Sequence, residues 1–129
     1  MPWNTSYLAA ADAVLTVYSG VLDPAVLHEA VRSTLALARQ QNTMRFLADC
    51  STLEGGHSVV DLYELAKLVA ASGAPPGLRE AIVMPQLAAA ASDVRFWETT
   101  CRNRGFTVRV FATMAEASAW LTTDDAGEA

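Results

Sequence analysis

The chain has 129 residues, of which 52% are hydrophobic and 18% are charged, so it is too apolar for a disordered protein and long enough for one folded domain. Nine basic and fourteen acidic residues give a formal net charge of −5. This balance argues against broad non-specific nucleic-acid binding, which needs a basic face. The N-terminal residues lack the basic and apolar stretches of a signal peptide, and we expect a cytoplasmic protein.

Runs typical of strands and helices alternate along the first half of the chain. We predict strands over residues 6–11 and 13–19, followed by a helix with Asp23 as its cap, Pro24 in its first turn and Asn42 as its end. A third strand is predicted over 44–50 and a loop over 51–57. The next helix begins at Ser58 and ends at Gly73.

The second half continues the same alternation. Residues 80–84 (EAIVM) contain a continuous apolar core, which predicts a strand buried on both faces of a parallel sheet. A helix follows, from about residue 87 or 93 to 104, and then an alternating strand over 106–111. The pair Thr113 and Glu116 predicts the capped start of a last helix that reaches Leu121.

This order predicts one α/β domain over residues 1–122, with a mixed, mainly parallel sheet of about five strands and about four helices. Residues 123–129 are polar, and we expect a flexible C-terminal tail. The two cysteines, Cys50 and Cys101, are expected to be free thiols rather than a disulfide.

Three segments carry a resemblance to a known family. They are the run 47–51 (LADCS) after the first helix, the strand 81–83 (AIV) and the ending 116–121 (EASAWL). In this order and spacing the chain resembles the STAS domain, and more closely its SpoIIAA-like branch, which is grouped with SEC14-type lipid-binding proteins. The resemblance covers about residues 6–122 and implies a single STAS-like domain with a non-catalytic binding or regulatory role.

The chain departs from this family at the phosphorylation loop. In antagonists that are phosphorylated, the loop reads roughly Asp-x-Ser-x-x-Asp-Ser-Ser-Gly, and the second Ser of the pair accepts the phosphate. Here Asp49 and Ser51 match, but Gly55 and Gly56 stand at the two serine positions. Glycine has no hydroxyl group, so we do not predict a phosphorylation switch at this loop.

The loop before the second helix is the first candidate ligand or partner site. Gly55, Gly56, His57 and Ser58 precede a helix N-terminus, where backbone N–H groups attract anions, and Asp49 follows an apolar strand. The structural alternative is a tight turn with Ser58 as the helix cap and a carboxylate that caps the loop. No metal site is predicted, because His57 has no second histidine near it in the sequence. No catalytic residues are predicted, because no acid that would orient His57 beside Ser58 is identifiable.

The consecutive aromatic residues Phe96 and Trp97 are the second candidate. Core packing is one explanation for them. Because neighbouring residues cannot both face one narrow helix stripe, the other explanation is that one is exposed and forms an apolar patch.

We therefore expect a non-catalytic module, with no cofactor, that binds a small apolar or amphiphilic ligand or a membrane surface between the third helix and the sheet. The alternative is a protein-interaction regulator, similar to an anti-sigma factor antagonist, whose glycine loop and second helix face a regulatory protein partner. A homodimer is the default expected for a small protein of this kind.

Overall fold

The computed structural model describes residues 2–74 and 77–123. Within these residues, five strands and four helices follow one another along the chain. They are β1 (Trp3–Leu8), β2 (Ala13–Val21), α1 (Pro24–Gln41), β3 (Arg45–Gly55), α2 (Val59–Ala71), β4 (Arg79–Val83), α3 (Ala88–Arg102), β5 (Thr107–Phe111) and α4 (Met114–Leu121). The element order agrees with the order predicted from the sequence.

The strands form one mixed sheet in the sequential order β1-β2-β3-β4-β5. β1 is antiparallel to β2, and every later pair is parallel. The predicted α/β fold, with its mainly parallel sheet, is therefore confirmed. Because the strand order advances in one direction, right-handed connections place α1, α2 and α3 on the same face of the sheet.

The two faces of the sheet have separate apolar cores. The larger core lies under α1, α2 and α3, and its central residues include Val14, Phe46, Leu65 and Ile82. The smaller core lies under α4, where Trp120 and Leu121 pack on Leu47, Ala81 and Val83. Side chains alternate between these faces along β4, and so Glu80 and Ile82 point toward the three-helix side while Ala81 and Val83 point toward α4.

Local capping signals place the starts of α1, α2 and α4 correctly, whereas α3 begins without a side-chain cap. The Asp23 side chain accepts a hydrogen bond from the backbone N–H of Val26 at 2.9 Å, and α1 ends at Asn42 with a left-handed φ of 55°. Ser58 and Asp61 form a complete capping box at α2. The Thr113 side chain accepts a hydrogen bond from the backbone N–H of Glu116 at α4.

Several predicted strand boundaries are wrong: β1 ends at Leu8 rather than at residue 11, and β2 ends at Val21 rather than at residue 19. Two further errors come from pairing between strands. β1 begins at Trp3 rather than at residue 6, because Trp3 pairs with Tyr18 in β2. β3 continues to Gly55 instead of ending at Cys50. Residues predicted as a loop pair with the long β2, for example Thr52 with Ser19, through an irregular register.

The tail predicted over residues 123–129 lies outside the described residues apart from Thr123. Among the described helices, none combines the length and the apolar character that a bilayer crossing requires.

Candidate functional site

A cavity of about 110 Å³ lies between the sheet and the three helices that share its larger core. α2 packs on α3, whereas α1 packs on β1 and β2. The wall of the cavity includes residues from α1 on one side and from α2 and α3 on the other. The α2 residues in its wall are all buried, whereas Val31, Thr34 and Leu35 from α1 are only half-buried. Glu80, Asp93 and Trp97, from β4 and α3, are half-buried as well, so the cavity is partly open to solvent.

The wall of the cavity is almost entirely apolar. The sheet contributes side chains from β2, β3, β4 and β5, and each of the three helices contributes aliphatic side chains. The principal apolar residues of the wall are Leu27, Val31, Leu35, Phe46, Ala48, Leu53, Leu62, Leu65, Val69, Ile82, Val94, Phe106 and Val108. An apolar cavity of similar size, about 150 Å³, stays dry and accepts a ligand as small as benzene.

Glu80 places a carboxyl group in this apolar wall. The Trp97 indole Nε1–H donates a hydrogen bond to Glu80 Oε1 at 2.8 Å, which joins β4 to α3. Burial raises the pKa of Glu80 to about 7, and the hydrogen bond from Trp97 opposes only part of this shift. The carboxyl group is half-buried, and its raised pKa leaves it partly protonated near neutral pH.

The neighbouring hydroxyl and thiol groups supply no positive charge that would balance an ionised Glu80. The pKa of the Tyr18 phenol is raised, first by burial and then by the nearby Cys50 and Glu80. Burial and the charge of Glu80 likewise raise the pKa of Cys50 and of Cys101. All three groups are neutral at physiological pH, and the two cysteines are free thiols.

His57 lies at the cavity wall, as Asp93 does. Its ring Nε2 is 3.9 Å from Asp93 Oδ2 on α3, and its Nδ1 is 3.4 Å from the backbone oxygen of Leu22. The His57 side chain is only 3% exposed. The ring therefore lies between Leu22, which joins β2 to α1, and Asp93 on α3. His57, a predicted site residue, is part of the candidate site.

The two glycines before His57 serve the backbone rather than an open ligand site. Gly55 accepts a hydrogen bond from the backbone N–H of Leu22 at 2.8 Å. Gly56 has a φ of 107°, and a Cβ atom at this position would lie 2.5 Å from the backbone oxygen of Leu22. Glycine is needed there because another segment of the chain, and not a ligand, occupies the adjacent space.

The remaining residues of the predicted loop site lie apart from the cavity wall. Ser58 caps α2, which was the structural explanation given for it as the alternative to a ligand site. Asp49 faces the α4 side of the sheet, opposite the cavity, since it pairs in register with Val83. Its carboxylate accepts hydrogen bonds from the backbone N–H and the hydroxyl of Ser51, at 3.1 and 2.7 Å. Asp49 therefore makes a local contact within β3, and the loop that it was expected to cap is part of this strand.

The aromatic pair on α3 divides between two roles. Trp97 lines the cavity, whereas Phe96 is absent from the cavity wall. Both side chains are half-buried and pack against the larger core, so neither is the exposed aromatic residue that one explanation required. The exposed aromatic patch that favoured binding to a membrane surface is therefore not formed by Phe96 or Trp97.

Sequence reasoning missed Glu80 and Tyr18, which are two of the polar residues in the cavity wall. A signal was available for Glu80: it stands two positions before the core residue Ile82, on a strand predicted to be buried on both faces. This spacing places an acidic side chain on a core-facing position. No comparable signal distinguished Tyr18 from an ordinary core aromatic residue.

Comparison of the chain with models of protein families, with curated proteins and with solved structures found no match. The resemblance to STAS domains therefore stays a hypothesis. Within residues 2–74 and 77–123, no three histidine, cysteine, aspartate or glutamate side chains lie close enough together to hold a metal ion.

Proposed function

We propose that this protein is a non-catalytic binding module that holds a small apolar or amphiphilic molecule in the cavity between the sheet and helices α1, α2 and α3. The observation that carries this proposal is the apolar cavity itself, with Glu80 and Trp97 as a polar pair in its wall. Small-molecule sites commonly combine apolar walls with a few polar groups of this kind. The hypothetical relation to STAS and SEC14-type proteins agrees with this role.

The arrangement of the helices supports entry of a ligand. α1 is joined to the sheet by a short chain of hydroxyl groups, in which Thr34 lies 2.6 Å from Thr16 and Thr16 lies 3.1 Å from Thr5. Elsewhere on the cavity side, Val31 and Leu35 remain half-buried. An apolar ligand would cover these two side chains and remove more apolar surface from water.

Native mass spectrometry of the gently purified protein is the first test. We expect a mass excess that organic solvent releases, and we expect benzene, used as an apolar probe, to shift the NMR signals of the Val31 and Leu35 methyl groups. Ala48→Leu should fill the cavity and abolish both effects, because Ala48 is a buried wall residue. Ala36→Leu is the matched control, since Ala36 is exposed on α1 and outside the wall. A protein that carries no ligand and shows no benzene-dependent shifts would refute the proposal.

A second candidate function rests on a different surface. Helix α2 exposes Val59, Val60 and Tyr63, which are 49%, 65% and 46% accessible, and an exposed apolar cluster of this kind is typical of a protein-interaction site. This surface favours the alternative role of a regulator that binds a protein partner through α2.

A photo-reactive residue at Val60 tests this second role in cells. We expect one specific protein adduct at Val60 and none from the same residue at Arg39, which is exposed on α1. Gly56 is unsuitable for such a test, because any side chain there collides with the backbone of Leu22 and alters the fold. Equal, non-specific adducts at both positions would exclude α2 as the partner surface.

A further inference from the structure

We propose that the ligand of this cavity is a small apolar molecule that carries one basic nitrogen, and that Glu80 binds this nitrogen through its free carboxyl oxygen. The inference rests on the proposed binding function and specifies the chemical class of the ligand.

The first step concerns the hydrogen bonds of Glu80. Trp97 Nε1 donates to Oε1, which leaves Oε2 without a protein donor among the described residues. The carboxyl group stands on the cavity side of β4 and forms part of the cavity wall. Glu80 is half-buried against an apolar wall, and a carboxylate with one hydrogen bond in such surroundings is poorly compensated, because ionised groups shielded from water need a partner charge or several donors.

The second step concerns the charges that line the cavity. Glu80 and Asp93 are acidic, and no arginine or lysine belongs to the described wall. The wall also contains His57, whose ring Nε2 lies 3.9 Å from Asp93, so this imidazole already faces a carboxylate of its own. The other ionisable groups that face Glu80 are Tyr18, Cys50 and Cys101, from β2, β3 and α3. None of these provides a positive charge. An anionic ligand, such as a carboxylate, would meet two carboxyl groups in the described wall, where the imidazole of His57 already faces Asp93. A protonated amine would instead complete an ion pair with Glu80.

The third step concerns size and hydrogen-bonding alternatives. The cavity of about 110 Å³ limits the enclosed part of the ligand to a few non-hydrogen atoms, close to the size of benzene. Thr34 is already bonded to Thr16 and to the backbone oxygen of Ala30, so its hydroxyl offers little to a ligand. Asp93 faces His57, whereas Glu80 keeps one carboxyl oxygen without a protein donor among the described residues. A branched aliphatic or aromatic amine fits both the shape of the cavity and the charge of Glu80.

Three molecules of nearly equal shape separate the possible chemistries. They are 3-methylbutylamine, 3-methylbutan-1-ol and 3-methylbutanoate, which are cationic, neutral and anionic at pH 7. Binding is measured by titration calorimetry and by NMR shifts of the Trp97 indole N–H. We expect the amine to bind more tightly than the alcohol and the carboxylate to bind most weakly. At pH 6 the amine should also release about one proton from Glu80, which appears as a dependence of the binding heat on the buffer.

Glu80→Gln is the decisive variant, because glutamine keeps the acceptor for Trp97 and removes the charge. We expect it to weaken amine binding more than about tenfold, since the ligand cation loses its partner, and to leave alcohol binding unchanged. Glu54→Gln makes the same chemical change at an exposed position outside the wall and should alter neither.

The outcomes distinguish this inference from the function on which it rests. If the alcohol or the carboxylate binds as tightly as the amine, or if Glu80→Gln leaves amine binding intact, the assignment of a basic ligand is wrong while the binding function stands. If none of the three molecules and no benzene binds, both are wrong.

Discussion

Replacing Glu80 by glutamine also tests how strongly burial of this carboxyl group opposes folding. The pKa of Glu80 is about 7 in the folded protein, against an ordinary value of 4.5. The folded state therefore holds this proton more tightly than the unfolded state between these two pH values. It follows that the contribution of Glu80 to stability falls as the pH rises from about 4.5 to about 7 and is constant above that range.

The size of the effect follows from the pKa difference. A difference of about 2.5 pH units, at about 1.36 kcal/mol per unit, corresponds to roughly 3 kcal/mol. This is a large part of the 5–15 kcal/mol that is typical of a folded domain. Glutamine has no charge to bury and can still accept the hydrogen bond from Trp97. We expect Glu80→Gln to gain about 3 kcal/mol of stability relative to the unmodified protein between pH 4.5 and pH 8.

The assay is urea unfolding of both proteins at several pH values across this range. The difference between the two unfolding free energies removes the pH dependence that other carboxyl groups contribute equally to both proteins. Glu54→Gln, at an exposed position, is the control and should show no comparable trend. The reasoning is refuted if the unfolding free energies of Glu80→Gln and the unmodified protein differ by the same amount at pH 5 and at pH 8.

Three further predictions concern stability and reactivity. Gly56→Ala should destabilise the protein by about 1–3 kcal/mol more than Gly55→Ala in thermal unfolding, because both positions have a positive φ but only Gly56 has no room for a Cβ; equal losses would argue against the close approach of the backbone. Ser58→Ala should cost about 1 kcal/mol in urea unfolding by removing the cap of α2, and an unchanged midpoint would contradict that role. Cys50 and Cys101 should react with iodoacetamide far more slowly in the native protein than in urea, since burial raises the pKa of both thiols; rapid native labelling would show that the core is open.

Local signals in the sequence determined the elements and their order. Asp23, Ser58 and Thr113 cap the helices that they were predicted to begin, and Asn42 ends α1, because a cap is a hydrogen bond or a backbone conformation within a few residues. The short apolar run of β4 identified a strand buried on both faces. The alternation of these elements was sufficient for the α/β fold class.

Tertiary structure decided where the strands end and where the candidate site lies. Residues 51–55 are a strand because β2 runs beside them, and a pairing between such distant segments leaves no local mark in the sequence. Asp49 and His57 lie only eight positions apart, yet the sheet separates them onto opposite faces. Glu80 meets Trp97 only after β4 and α3 have packed together. The cavity depends on how far α1 stands from α2 and α3, which is a property of helix packing rather than of any one segment.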